Sequence, residues 1–190
     1  MGSLKKLNIT LKKTTTYKEQ DSDKVRRYLD VLGCFPNTPI VYSDETGIDT
    51  YLYRHKARAV RGQKVYDKVS GRRFERISVV AGQIGSQIVA PLLYQGTMTA
   101  ELFMTWYQKE LLPCLSEPHL IIMDNATFHP KKHLDECSIA SGHYFLPLPP
   151  YSPELNPIEQ FWATLKRKVT ELLRTGRSVQ SALEYYFKTK

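Results

Sequence analysis

The spacing of apolar and polar residues changes period several times along the chain, and each change predicts an element. Asp21-Ser22-Asp23 offers cap chemistry for a short helix with Val25, Tyr28, Leu29 and Leu32 on one face, and Gly33 and Pro36-Asn37 break it. From Pro39 the pattern becomes that of a strand, in which Ile40-Val41-Tyr42-Ser43 runs into Asp44-Glu45-Thr46-Gly47, predicted as a turn. Residues 50–58 predict another strand. Residues 77–83 and 87–94 predict a hairpin around Gly85-Ser86. Thr99 caps a predicted helix through Leu112, with Leu102, Phe103, Trp106, Tyr107 and Leu111 at helical spacing and Pro113 closing it. Residues 119–123 form a short, mostly apolar run that predicts a buried strand ending at Asp124-Asn125. A brief helix over 131–137, a strand over 144–146 and a proline-punctuated loop over 147–157 follow. Asn156-Pro157-Ile158-Glu159 then opens a long helix, with Asn as cap and Pro at the first helical position. Ile158, Phe161, Trp162, Leu165, Val169, Leu172 and Leu173 make its apolar stripe. Gly176 ends it, and residues 178–187 predict a last helix.

After the first short helix the order is β-β-β-β-α-β-α-β-α-α. Hairpins come first, and helices then alternate with strands that feed a mixed sheet, which is an α/β layout. Two of its short apolar strands each end in an aspartate. A length of 190 residues suits one domain with a real core. The longest apolar runs are a few residues, against the ~18 or more of a membrane span, so no membrane partner is expected. Cys34, Cys114 and Cys137 are widely spaced with no CxxC pair, which predicts free thiols in a reducing compartment and argues against zinc. No GxxxxGK phosphate loop and no GxSxG elbow occurs.

The net charge of +8 is unevenly spread. Basic side chains concentrate in residues 1–33, in 54–76 (Arg54, Lys56, Arg58, Arg61, Lys64, Lys68, Arg72, Arg73 and Arg76) and in 166–190, which begins with Lys166-Arg167-Lys168. The remainder of the chain is acidic. Basic clusters of this kind suit a nucleic-acid backbone, where each neutralised phosphate releases counter-ions. A merely solvated basic surface fits the charge equally well.

Three acids carry the candidate chemistry. Asp44 and Asp124 share a setting: an apolar extended segment, then the acid, then polar residues. A buried strand seldom ends in an ionised group unless something cationic meets it. Glu159 lies in the first turn of a helix at the edge of its apolar stripe, about 100° from Ile158 and on the Trp162 side. Three converging carboxylates with no Cys or His cluster make a hard ligand set suited to Mg²⁺ or Mn²⁺. Two such ions can drive an in-line phosphoryl displacement. Plainer roles stay open: Asp44, Glu45 and Asp124-Asn125 as turn residues, and Glu159 as the partner of Asn156 in a capping box.

Ser43-Asp44-Glu45-Thr46-Gly47, then Ile121-Ile122-Met123-Asp124-Asn125-Ala126-Thr127-Phe128-His129, then Leu148 to Trp162 with its YSPELNPIE string, occur in that order. Together, over about residues 10–175, they resemble the bacterial insertion-sequence branch of the Tc/mariner transposase superfamily, the IS-six-thirty group. The resemblance implies a ribonuclease-H-like fold, with a mixed sheet flanked by helices, over residues 39–175. It implies Asp44, Asp124 and Glu159 as the metal-binding catalytic acids for two Mg²⁺ or Mn²⁺ ions. Glu45, Asn125 and His129 stand nearby as supporting residues, and His129 also reads as a capped or packed ring. The implied partners are transposon inverted repeats and target DNA, cut at TA sites, with a homodimer on the DNA and a cytoplasmic, nucleoid-associated setting in a bacterium. Arg54, Lys56, Arg58, Arg61, Lys64, Arg72, Arg73, Lys166, Arg167 and Lys168 are the expected backbone contacts. Full-length members carry helix-turn-helix modules ahead of the catalytic domain. Residues 1–38 resemble the basic connector that follows such modules, and 176–190 a C-terminal helix. A nuclease without strand transfer, and a DNA-binding remnant, are the alternative readings.

Overall fold

A computed structural model describes residues 17–49, 60, 63–64, 76–125 and 130–189. Helix α1 (Ser22–Gly33) starts where Asp21 accepts the Asp23 and Lys24 N–H groups. Strand β1 (Ile40–Asp49) is followed by β2 (Arg76–Ile84) and β3 (Gln87–Gln95). Gly85, at φ +56°, makes the tight turn between the last two. Helix α2 (Ala100–Trp106) is capped by the Thr99 hydroxyl on the Leu102 N–H and runs on through a π-helical turn (Tyr107–Leu111) and a 3₁₀ turn at Pro113. Strand β4 (Leu120–Met123), α3 (Lys131–Ala140), β5 (Tyr144–Pro147), α4 (Ile158–Leu173) and α5 (Val179–Lys188) complete the order.

The five strands form one mixed sheet in the order β3-β2-β1-β4-β5. β1, β2 and β3 pair antiparallel, whereas β4 and β5 join parallel on the other side of β1. β2 is buried over Ile77–Gly82, as expected of a strand covered on both faces. On one face Val41, Val80, Ile121 and Met123 pack against Phe103, Trp106, Leu111 and Leu134. On the other, Ile48, Ile77, Val79 and Ala81 meet Ile158, Trp162, Leu165 and Val169 of α4, together with Val179, Ala182 and Leu183 of α5. α1 covers that second face further along, with Tyr28 against Leu120, Ile122 and Leu148. Helices on both faces of one sheet make the three-layer α/β architecture that the element order predicts.

Two expectations change. β1 does not stop at Ser43: it continues through Asp44, Glu45, Thr46 and Gly47, which pair with Ala81, Val80, Val79 and Ser78. Backbone pairing with β2 supplies what the local sequence does not announce. Asn156 is not the cap of α4, because that position falls on Pro157 and no side chain caps the helix. Helix α5 shares its core with α4, and α1 packs on the sheet. The strand expected over residues 50–58 lies outside the described residues.

Candidate active site

The register of the sheet decides where the first two acids go. β1 and β4 run parallel, with Ser43 opposite Met123. One residue further on, Asp44 within β1 therefore comes beside Asp124, just past the end of β4, where the strands run about 4.8 Å apart. Asp44 shares its side of the sheet with Thr46 and Ile48, which face α4. There Trp162 donates from Nε1 to Asp44 Oδ2 at 2.9 Å. This indole was expected to serve the core alone. It is fully packed there and also anchors the first acid. Glu159 lies one helical turn before Trp162, so it projects from the same side of α4.

All three acids line one cleft of about 510 Å³. Asp44 is its fixed member, half-buried, while Asp124 and Glu159 are exposed. Burial pushes the Asp44 carboxyl up to about 7, and the charges of Glu159 and Asp124 add to the rise. The Glu45 N–H and the Trp162 indole hold it down. Among the described residues, no three His, Cys, Asp or Glu side chains form a ready-made metal-ligand group. The cleft thus gathers the acids without closing them into a coordination set. Its donor chemistry still fits a hard divalent cation, because every acidic ligand is an oxygen and their mutual repulsion is what a cation relieves.

Of the rest of the wall, Asn125 was expected beside the second acid, whereas Tyr17 and the strained Tyr151 turn were not legible in the sequence. Tyr17 and Tyr151 line it with their rings 6.0 Å apart, both more than half exposed. Tyr151 sits at φ +58°, a strained conformation for an aromatic residue. Gln20 holds that turn by donating to Ser152 Oγ at 3.0 Å and to Glu154. Asn125 and Asn156 also line the cleft, and the Oδ1 atom of each is buried with no hydrogen-bond partner.

Glu45, expected as a neighbour of the metal site, goes elsewhere. Strand alternation turns it to the opposite face of the sheet, where its carboxylate helps raise the Tyr94 phenol. His129 lies outside the described residues, as do Arg54, Lys56, Arg58, Arg61, Arg72 and Arg73. Lys64 is exposed. On α4, Arg167 is exposed and Lys166 half-buried, while Lys168 is held at 3.0 Å by Glu171. No helix among the described residues is long and apolar enough to cross a membrane. Cys34, Cys114 and Cys137 are free thiols, as expected.

Residues 39–180, well over half of the chain, match the family model described as DDE superfamily endonuclease. The chain belongs to this family. No curated protein matches it. Among solved structures, this DDE endonuclease domain resembles the Mos1 transposase paired-end complex with left transposon end. That match has a TM-score of 0.65 and 17% identity, over 100% of this chain and 62% of the Mos1 chain. It also resembles the Mos1 transposase catalytic domain with raltegravir and Mn, with a TM-score of 0.59 and 16% identity over 94% of this chain and 86% of that one. The mariner Mos1 paired-end complex with Mg matches with a TM-score of 0.59 and 19% identity over 81% and 51%. The chain spans less than two thirds of the length of the Mos1 chains in the paired-end complex, the pre-cleavage transpososome and the strand transfer complex. These likenesses show the fold: a five-stranded mixed sheet flanked by helices, the ribonuclease-H-like arrangement of a DDE catalytic domain.

Proposed function

We propose that this chain is the catalytic domain of a DNA transposase of the Tc/mariner type, in the bacterial IS-six-thirty group. Within it, residues 39–175 carry the chemistry and Asp44, Asp124 and Glu159 hold two Mg²⁺ or Mn²⁺ ions. The observation that carries this reading is the in-register pairing of β1 and β4. It sets Asp44 beside Asp124 at the mouth of a cleft that Glu159 also lines. The Mos1 structures with Mg and with Mn add support from proteins of the same fold.

Bound in this cleft, the two cations supply the Lewis acidity for in-line displacement at phosphorus. The chain's own residues do the rest. Asp44, fixed by Trp162, gives the site a rigid reference point, and Asp124 and Glu159 approach from a strand end and a helix start. A water oxygen attacks the scissile phosphorus, the bond to the 3′ oxygen breaks, and that oxygen leaves as a 3′-hydroxyl. The hydroxyl then attacks a target phosphodiester at a TA step, forming one P–O bond as another breaks. Lys64, Lys166 and Arg167 present positive charge to the DNA backbone, joined by the basic residues of 54–73, and contribute affinity with little sequence readout. Two copies pair the two transposon ends.

The test is incubation with Mn²⁺ and labelled DNA carrying the inverted repeats that flank the coding sequence. Cleavage that Asp124→Asn abolishes is the expected result, and joined products mark strand transfer as against simple nuclease action. Identical behaviour of the wild type and Asp124→Asn overturns the catalytic assignment.

A further inference from the structure

Asn156 is a buried residue whose side-chain oxygen has no hydrogen-bond partner in the fold. Its sequence position before Pro157 predicts a cap for α4, yet its backbone does that work. The Asn156 carbonyl accepts the Glu159 N–H at 3.2 Å, and its own N–H donates to Pro153 at 3.0 Å. The residue is 4% exposed, and its Oδ1 is buried with no hydrogen-bond partner. Buried polar atoms in folded proteins are nearly always paired, and an unpaired one calls for an explanation such as a water or an ion that meets it. Asn156 lines the cleft with the three acids. Asn125, next in the chain to Asp124, lines it too, with its own Oδ1 buried and unpartnered.

We propose that Asn156 is a positioning residue of the cation site, supplying a neutral amide oxygen toward the hydrated divalent ion beside Glu159. The inference rests on the reading of the cleft given above and extends it to a residue outside the acidic triad. Hard cations take amide carbonyl oxygens along with carboxylates. A neutral oxygen adds to the ion's surroundings without adding to the repulsion that already raises the Asp44 carboxyl. The same residue ties that oxygen to the third acid, since its backbone carbonyl holds the first turn of α4 at Glu159.

Asn156→Leu keeps the approximate size and removes both polar ends. Asn156→Asp keeps an oxygen at the same place. Each is compared with the wild type by thermal melting of the full chain across a Mn²⁺ titration and by Mn²⁺ binding followed with electron paramagnetic resonance. The expected result has two parts. In metal-free buffer Asn156→Leu melts no lower than the wild type, because an unpaired buried amide is costly to keep. Its Mn²⁺ midpoint rises about tenfold or more, the usual loss when an outer partner of a metal site is removed, while Asn156→Asp retains the metal-dependent shift. An unchanged Mn²⁺ midpoint in Asn156→Leu overturns the proposal. So does a metal-free Asn156→Leu protein that melts well below the wild type, which would make the amide structural. A wild type that shows no Mn²⁺-dependent shift refutes the metal reading of the whole cleft, an outcome distinct from failure at Asn156 alone.

Discussion

At Asp44 the protein keeps a carboxylate where burial disfavours its charge. The group's folded value of about 7 lies above its ordinary 3.8, so the folded state binds a proton that the unfolded chain has already lost. Stability from this group is therefore fully present below about pH 4 and declines as pH rises through 7. Replacing Asp44 by Asn removes that titration and leaves the other groups in place. The metal-free Asp44→Asn protein should melt higher than the wild type at pH 8, and the gap should close towards pH 5. Calorimetry at a series of pH values checks this, and a variant that melts lower at pH 8 would contradict the burial argument. The same substitution should abolish cleavage, so stability and activity move in opposite directions. Sites where a local rule is broken without structural return are where function is expected. Asp44, Tyr151 with its strained backbone and Asn156 with its unpaired amide all line the one cleft.

Elements with local signals were legible in the sequence. The β2–β3 hairpin shows in its two flanking runs and Gly85-Ser86, and α2 shows in its Thr99 cap and its helical apolar spacing. The elements misread were those decided at a distance. Asp44-Glu45-Thr46-Gly47 has turn composition, and only its ladder with β2 keeps it extended. That extension matters to the site, since it puts Asp44 inside a strand and sends Glu45 to the opposite face. The side-chain partners of the cleft, Trp162 for Asp44 and Gln20 for the Tyr151 turn, are separated from them by more than a hundred residues and leave no mark in local pattern. Close packing under the π-helical turn gives the element scale its own test. A β-carbon on Gly82 would lie 2.8 Å from Leu111 Cδ1 and 2.9 Å from Val41 Cγ2, where both partners are fully buried. Gly82→Ala should therefore destabilise the domain by about 1–3 kcal/mol through overpacking. Urea unfolding measures it, and a variant as stable as the wild type would show that the Leu111 turn yields easily.

For the molecule as a whole, charge and sheet topology divide the work. The sheet brings two acids together, Asp44 within β1 and Asp124 just past the end of the parallel β4, and a polyanionic substrate would be repelled from them unless basic surface held it nearby. Lys166 lies seven residues beyond Glu159, two turns along nearly the same face of α4, so it points to the same side as the third acid. Arg167 is exposed next to it, whereas Lys168 is occupied by Glu171. If this end of the molecule holds DNA through its backbone, each phosphate contact should release about one counter-ion. The double substitution Lys166→Ala with Arg167→Ala should then weaken binding alike on inverted-repeat and unrelated duplexes. It should also reduce the slope of log affinity against log salt by about two. Lys168→Ala should change that slope less, because its charge is already partly neutralised within the helix. Fluorescence anisotropy across a salt series reads all three proteins. An unchanged slope in the double variant would move the DNA off this face of α4, and the basic residues of the 54–73 segment would then have to carry the substrate to the acids.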